Sequence, residues 1–138
     1  MAEALILDSE AVHALARAAE RSVLAERARA ILRVAFERRA LVRVPAAVLA
    51  EVCRGPRFDA AVDRLLAGHG IAVCDLTRSI AQSAGALLSK AKLSPRHAVD
   101  AFVVATALEF EAAVIATGDP DDIRHLAAPH RQLRVFPI

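Results

Sequence analysis

Apolar residues fall along the chain in short runs that alternate with longer stretches of helical period. Ala4-Leu5-Ile6-Leu7 is too short for a helix and fits a buried strand. From Ser9 the period changes: Val12, Leu15, Ala16 and Ala19 share one face of a helix over about 10–18, with Ser9 as its N-cap. A second helix is predicted from Ser22 to about Arg39, with Val23, Ala30, Ile31, Val34 and Ala35 inward and arginines outward. Leu41-Val42-Arg43-Val44 reads as the second strand, and Pro45 suits the first turn of the next helix. Gly55-Pro56 ends that helix, residues 57–67 make a short amphipathic one, and Gly68-His69-Gly70 stops it. Ile71-Ala72-Val73-Cys74 is the third strand. A helix is then predicted from Thr77 to about Lys90, with Ile80, Ala84, Leu87 and Leu88 inward. Ser94-Pro95 opens another by the order of cap then proline. Residues 113–116 give the fourth strand, Asp119–Ala127 a short helix and Leu133–Phe136 a terminal strand.

Strands alternating with helices predict an α/β fold, a parallel sheet covered by helices on both faces. Ligands of such sheets bind beyond the carboxyl ends of the strands, where the strand order reverses. The 138 residues suit one domain spanning 1–138, long enough to bury a substantial core. With 56% hydrophobic but only 4% aromatic residues, that core must be built from Ala, Val, Leu and Ile. No apolar run approaches the ~18 residues of a membrane span, and the start of the chain lacks the basic-then-apolar order of a signal peptide. A cytoplasmic protein with no membrane partner is the expectation. Cys53 and Cys74 have no metal-binding spacing and make no disulfide framework, and are expected to be buried, inert thiols.

A net charge of +2 is too small to announce nucleic acid, but sixteen of the eighteen cations are Arg, whose planar fork of donors suits phosphate. Seven of them fall from Arg21 to Arg43. A solvated helix face, partly paired with Glu20, Glu26 and Glu37, explains these as well as a basic rim does.

The chemistry lies in four acids set among aliphatics. Asp8 ends the first apolar run. Glu51 lies in Pro45-Ala46-Ala47-Val48-Leu49-Ala50-Glu51-Val52-Cys53, Asp100 in Ala98-Val99-Asp100-Ala101-Phe102-Val103-Val104-Ala105, and Asp119 comes after Ala113-Val114-Ile115-Ala116-Thr117-Gly118. A carboxylate is costly to bury unless something neutralises it. Four converging would make an oxygen-rich pocket for a hard divalent cation. Each acid also has a blander account. Asp8 could cap a helix or turn, Glu51 could pair with Arg54, Asp100 with Arg96 one turn earlier, and Asp119, Asp121 and Asp122 could complement a helix dipole. The set is harder to dismiss than any member.

With these motifs the chain resembles the PIN-domain ribonucleases, in particular the VapC-type toxins of bacterial VapBC toxin–antitoxin pairs. The resemblance runs nearly end to end. Leu5-Ile6-Leu7-Asp8-Ser9 matches the family's opening strand, and Val44 to Gly55 matches the helix bearing its Glu. Val99-Asp100-Ala101-Phe102-Val103-Val104-Ala105-Thr106-Ala107 matches its most recognisable signature. Ile115-Ala116-Thr117-Gly118-Asp119-Pro120-Asp121-Asp122-Ile123 matches the last motif, although the family often has an aromatic where Ile123 stands, and Glu10 is no family requirement.

The resemblance implies a three-layer α/β/α sandwich with a five-stranded parallel sheet in the order 3-2-1-4-5. It implies Mg²⁺ or Mn²⁺ as cofactor, endoribonuclease activity on RNA, a homodimer and a cognate VapB-like antitoxin. The antitoxin would dock in a groove near the helices at about 10–18 and 22–38 and bring an Arg toward the acids. By the same resemblance Asp8, Asp100 and Asp119 ligate the metal, Glu51 orients the attacking water or completes a second site, and Asp122 and Thr117 support them. Arg54 and Arg96, each one turn from an acid, are the candidates for holding the flanking RNA phosphates. His97 is expected at the surface or behind the ligands. Three other readings compete. A dehalogenase-type phosphatase would share Gly118-Asp119-Pro120-Asp121-Asp122, but needs an Asp-x-Asp loop where this chain has Asp8-Ser9-Glu10, and a downstream Lys. A receiver domain would need a late-strand Lys, and only Lys90 and Lys92 are present. A catalytically inactive PIN-fold binding module would have no need of the intact acidic set.

Overall fold

The computed structural model describes residues 3–17, 22–68 and 70–138. Five strands, β1 (Glu3–Leu7), β2 (Leu41–Pro45), β3 (Ile71–Cys74), β4 (Ala112–Thr117) and β5 (Leu133–Pro137), form one parallel sheet in the order β3-β2-β1-β4-β5. This is the strand order that the resemblance implies. Ala4, Leu5, Ile6 and Leu7 of the central strand are all buried although they alternate between the two faces, so helices cover both sides of the sheet.

The helices form two packed sets. In one, α1 (Ser9–Ala16) packs on α2 (Val23–Glu37), α3 (Leu49–Val52) and α4 (Pro56–Gly68). In the other, α6 (Ala98–Ala107) packs on α5 (Arg78–Ala91) and α7 (Pro120–Ala127). Both α1 and α6 also touch β1 and β4. The sequence of α6 is apolar nearly all round, and Ala101 and Val103 to Ala107 are buried between neighbouring helices and the sheet.

Several local expectations are corrected. Asp8, not Ser9, caps α1: its Oδ1 accepts the amide of Ala11 at 2.9 Å. Pro45 closes β2 instead of opening a helix, and a 3₁₀ turn over Ala46–Val48 leads into the four-residue α3. The fully buried residues of α2 are Ala25, Ala28 and Ala35, while Val23 is 67% and Val34 43% exposed. Ala35 and the half-buried Ile31 face the core as expected, whereas Ala25 and Ala28, small enough to let the helix lie close, take the places expected of Val23 and Val34. Cys53 is exposed and Cys74 half-buried, against the expectation of two buried thiols. The Ala19 end of the first predicted helix, Glu20, Arg21 and His69 lie outside the described residues. Among the described residues no helix is long and apolar enough to cross a membrane.

Candidate metal centre

The chain leaves β1 for β2 on one side and reaches β4 on the other, so the strand order reverses between β1 and β4. Leu7 pairs with Ala116 at the end of these strands, and the amide of Asp8 donates to the carbonyl of Ala116 at 3.1 Å. Asp8 beyond β1 and Thr117-Gly118-Asp119 at the end of β4 are thereby placed side by side in the crevice where such sheets bind ligands.

Asp8 is only 5% exposed. Burial pushes its carboxyl above the usual range, while the Thr117 hydroxyl and the amides of Ala11 and Gly118 favour its charged form. Thr117 is fully buried, and its Oγ1 accepts the amide of Asp119 at 2.9 Å, so one hydroxyl ties the two aspartates to the end of β4. Asp119 then stands at the exposed start of α7, with Asp122 half-buried one turn on. The Asp119 carboxyl is pushed up, first by the desolvation it suffers and then by sharing a hydrogen bond with Asp122.

Asp100 lies in the first turn of α6, half-buried. Its pKa is raised to about 6, first by burial and then by the charges of Asp119, Asp122, Asp8 and Glu51. That roster locates the cluster: acids from just past β1, from α3 and from the start of α7 all act on the one carboxyl of α6. Glu51 is exposed on α3, and the Ser9 hydroxyl donates to its Oε1. Among the described residues none of these five acids forms an ion pair with Lys or Arg. The blander pairings, Glu51 with Arg54 and Asp100 with Arg96, therefore do not hold.

The two arginines are exposed, Arg54 just after α3 and Arg96 in the 3₁₀ turn Pro95–His97. Two other residues belong to the cluster and were given no ligand role from the sequence. His97 ends that 3₁₀ turn with its side chain only 17% exposed, so it is not a surface residue, and its Nδ1 lies 3.5 Å from Asp122 Oδ2. Glu10 lies across Gly118, where a Cβ would collide with the Glu10 carboxylate. The helical spacing of His97 and Asp100 was the available signal for the first. Nothing local marks Glu10, because its neighbour Gly118 is remote in sequence.

The donor set is mainly carboxylate oxygen, crowded and, among the described residues, without Lys or Arg paired to it. Such a set fits a hard divalent cation, which holds like charges together and keeps several waters. A cleft of about 440 Å³ opens beside the cluster, lined by Ala14, Leu24, Ala25 and Val52, with Ser9 and Glu51 at its acidic end and Arg17 also on its wall.

A family model described as PIN domain matches residues 5–129. Among solved structures, a chain of a toxin-antitoxin complex from Klebsiella pneumoniae is similar, with a TM-score of 0.66 at 18% identity, over 97% of this chain and 99% of that one. At that identity the likeness speaks for the fold. No curated protein matches the chain.

Proposed function

The chain belongs to the PIN domain family, and from that membership we propose that it is a metal-dependent endoribonuclease, the toxin of a toxin–antitoxin pair. The observation that carries the reading is the convergence of Asp8, Glu51, Asp100, Asp119 and Asp122 at the β1/β4 crevice without Lys or Arg to neutralise them among the described residues. A purely structural cluster of this kind would cost stability and return nothing.

Asp8, Asp100 and Asp119 would hold Mg²⁺ or Mn²⁺, with Asp122, Thr117 and Glu51 in support. A bound divalent cation supplies charge to stabilise the attacked phosphate and generates a nucleophile from water at neutral pH. The chain's own residues do the positioning. Thr117 fixes the spacing of Asp8 and Asp119 through one buried hydroxyl. Ser9 holds Oε1 of Glu51, which leaves Oε2 to orient the attacking water and accept its proton. Asp8 doubles as the cap of α1, so its carboxylate is set by the backbone before any ligand arrives. RNA repelled by these acids would be held at flanking phosphates, with Arg54 and Arg96 as the exposed candidates.

The toxin role is supported by the toxin-antitoxin complex to which the fold is similar. The cleft between α1 and the start of α2 is where an antitoxin segment would lie, reaching the acids at the Glu51 end. A homodimer and a cytoplasmic location belong to the same reading. Expression of the chain alone should arrest growth, and co-expression of the neighbouring small reading frame should restore it. Asp119→Asn should be harmless when expressed alone. A folded, RNA-cleaving chain that never slows growth would remove the toxin role and leave the nuclease.

A further inference from the structure

His97 stands out because it brings an imidazole into a cluster otherwise built from oxygen. It closes the 3₁₀ turn before α6, one turn ahead of Asp100, so the two side chains leave the same face of the chain. Asp122 reaches them from the first turn of α7. One ligand atom from each of His97, Asp100 and Asp122 lies within 4.8 Å of the others, and the His97 Nδ1 to Asp122 Oδ2 distance is 3.5 Å. Adjacent ligands of an octahedral ion with bonds of about 2.1 Å are about 3 Å apart, so the His97–Asp122 side is already near that spacing. The imidazole is held inward, only 17% exposed, where a solvated surface pair would leave it free to swing away.

We propose that His97 is a nitrogen ligand of the divalent-cation site, binding through Nδ1 beside Asp100 and Asp122. The ligand chemistry then sets the ion. Mg²⁺ is held by oxygens and keeps its waters, whereas imidazole is a good donor to first-row transition ions. The site therefore favours Mn²⁺ over Mg²⁺ more than its carboxylates alone would. The assignment rests on the metal-dependent reading above and adds a ligand and an ion preference to it. The competing role for His97 is that of an internal cation, protonated and paired with Asp122, which makes no bond to metal.

The test uses Mn²⁺ as the probe on the purified full chain, with pulsed electron paramagnetic resonance to detect nitrogen bound to the ion. The wild-type chain should bind Mn²⁺ and show ¹⁴N coupling that is replaced when the protein is made with ¹⁵N-histidine. His97→Asn keeps an oxygen near the Nδ1 position. It should lose the nitrogen coupling, weaken Mn²⁺ by more than the roughly tenfold that losing an outer partner costs and leave Mg²⁺ affinity within about twofold, with an unchanged melting temperature in chelator. If His97→Asn does not fold, His97→Gln serves the same purpose, and the ¹⁵N substitution in the wild type needs no variant. Mn²⁺ bound without nitrogen coupling, or with coupling that survives the loss of His97, would overturn the assignment while sparing the metal site. No Mn²⁺ binding by the wild type would overturn both.

Discussion

The amide of Asp8 donates to the carbonyl of Ala116 at 3.1 Å, and this one bond joins the first acidic motif to the last across 108 residues of chain. It continues the β1–β4 ladder by one residue past Leu7. Geometry then fixes the next residue of each strand: a buried aspartate on one, and on the other a threonine whose hydroxyl serves both Asp8 and Asp119. The site is a consequence of the strand order as much as of the residues.

Asp8 has two jobs that substitution can separate. Asn caps helices as well as Asp does, so Asp8→Asn should keep the bond to Ala11, fold normally and lose RNA cleavage by about 100-fold or more. Asp8→Ala should lose the cleavage and the cap, costing about 1 kcal/mol, or a fall of about 4 °C in Tm. Equal melting of the two variants would show that the cap contributes nothing.

Asp100 makes a signed prediction about pH. Its folded pKa, about 6, lies above the unfolded 3.8, so between these values the native state binds the extra proton. In chelator, stability should therefore fall as pH rises from about 4 to about 6 and level off above. Asp100→Asn should flatten that limb and raise stability at pH 7 by roughly 1 kcal/mol, a figure already reduced for screening of a half-exposed group. Thermal melts from pH 4 to 8 in EDTA check both. A variant with the same slope as the wild type would mean that Asp100 is not the group that titrates.

Ser9 and Glu51 should behave as a unit. Glu51→Gln should lower cleavage by about 100-fold by removing the proton acceptor. Ser9→Ala should lower it by less, with Tm nearly unchanged, since the hydroxyl only orients an exposed side chain. If the two single effects multiply in the double variant, the Ser9–Glu51 bond plays no part in the reaction.

Arg54, exposed and without an acid partner at Glu51, is the simplest probe of the RNA rim. Arg54→Ala should weaken RNA binding and flatten its salt dependence by about one phosphate's worth of released counterions, with little change in Tm. An unchanged slope would move the rim elsewhere, first to the exposed Arg27, Arg33, Arg38 and Arg39 on and after α2.

The sequence was most legible where one local signal decides the structure. Apolar runs of four placed β1 and β3, and alternation of strands and helices gave the parallel sheet, while the order of its strands came from the family motifs. The acids could be picked out because each interrupts an aliphatic stretch that burial would otherwise explain. The features that stayed hidden depend on remote contacts. The inward face of α2 is set by how closely its alanines approach the sheet, and Glu10 and Gly118 meet only after folding. Ser9 looked like a cap because hydroxyl residues cap helices, but the carboxylate before it took that place and freed Ser9 for Glu51.

If the acid cluster works with a divalent cation to cut RNA, the most direct measurement is cleavage of an end-labelled single-stranded RNA by the purified chain. It is followed first in excess EDTA and then as Mn²⁺ or Mg²⁺ is added back. Cleavage should stop in EDTA, return in saturable fashion with either ion and fail to return in Asp100→Asn at any concentration. Undiminished cleavage by the wild-type chain in EDTA would contradict a metal-dependent site.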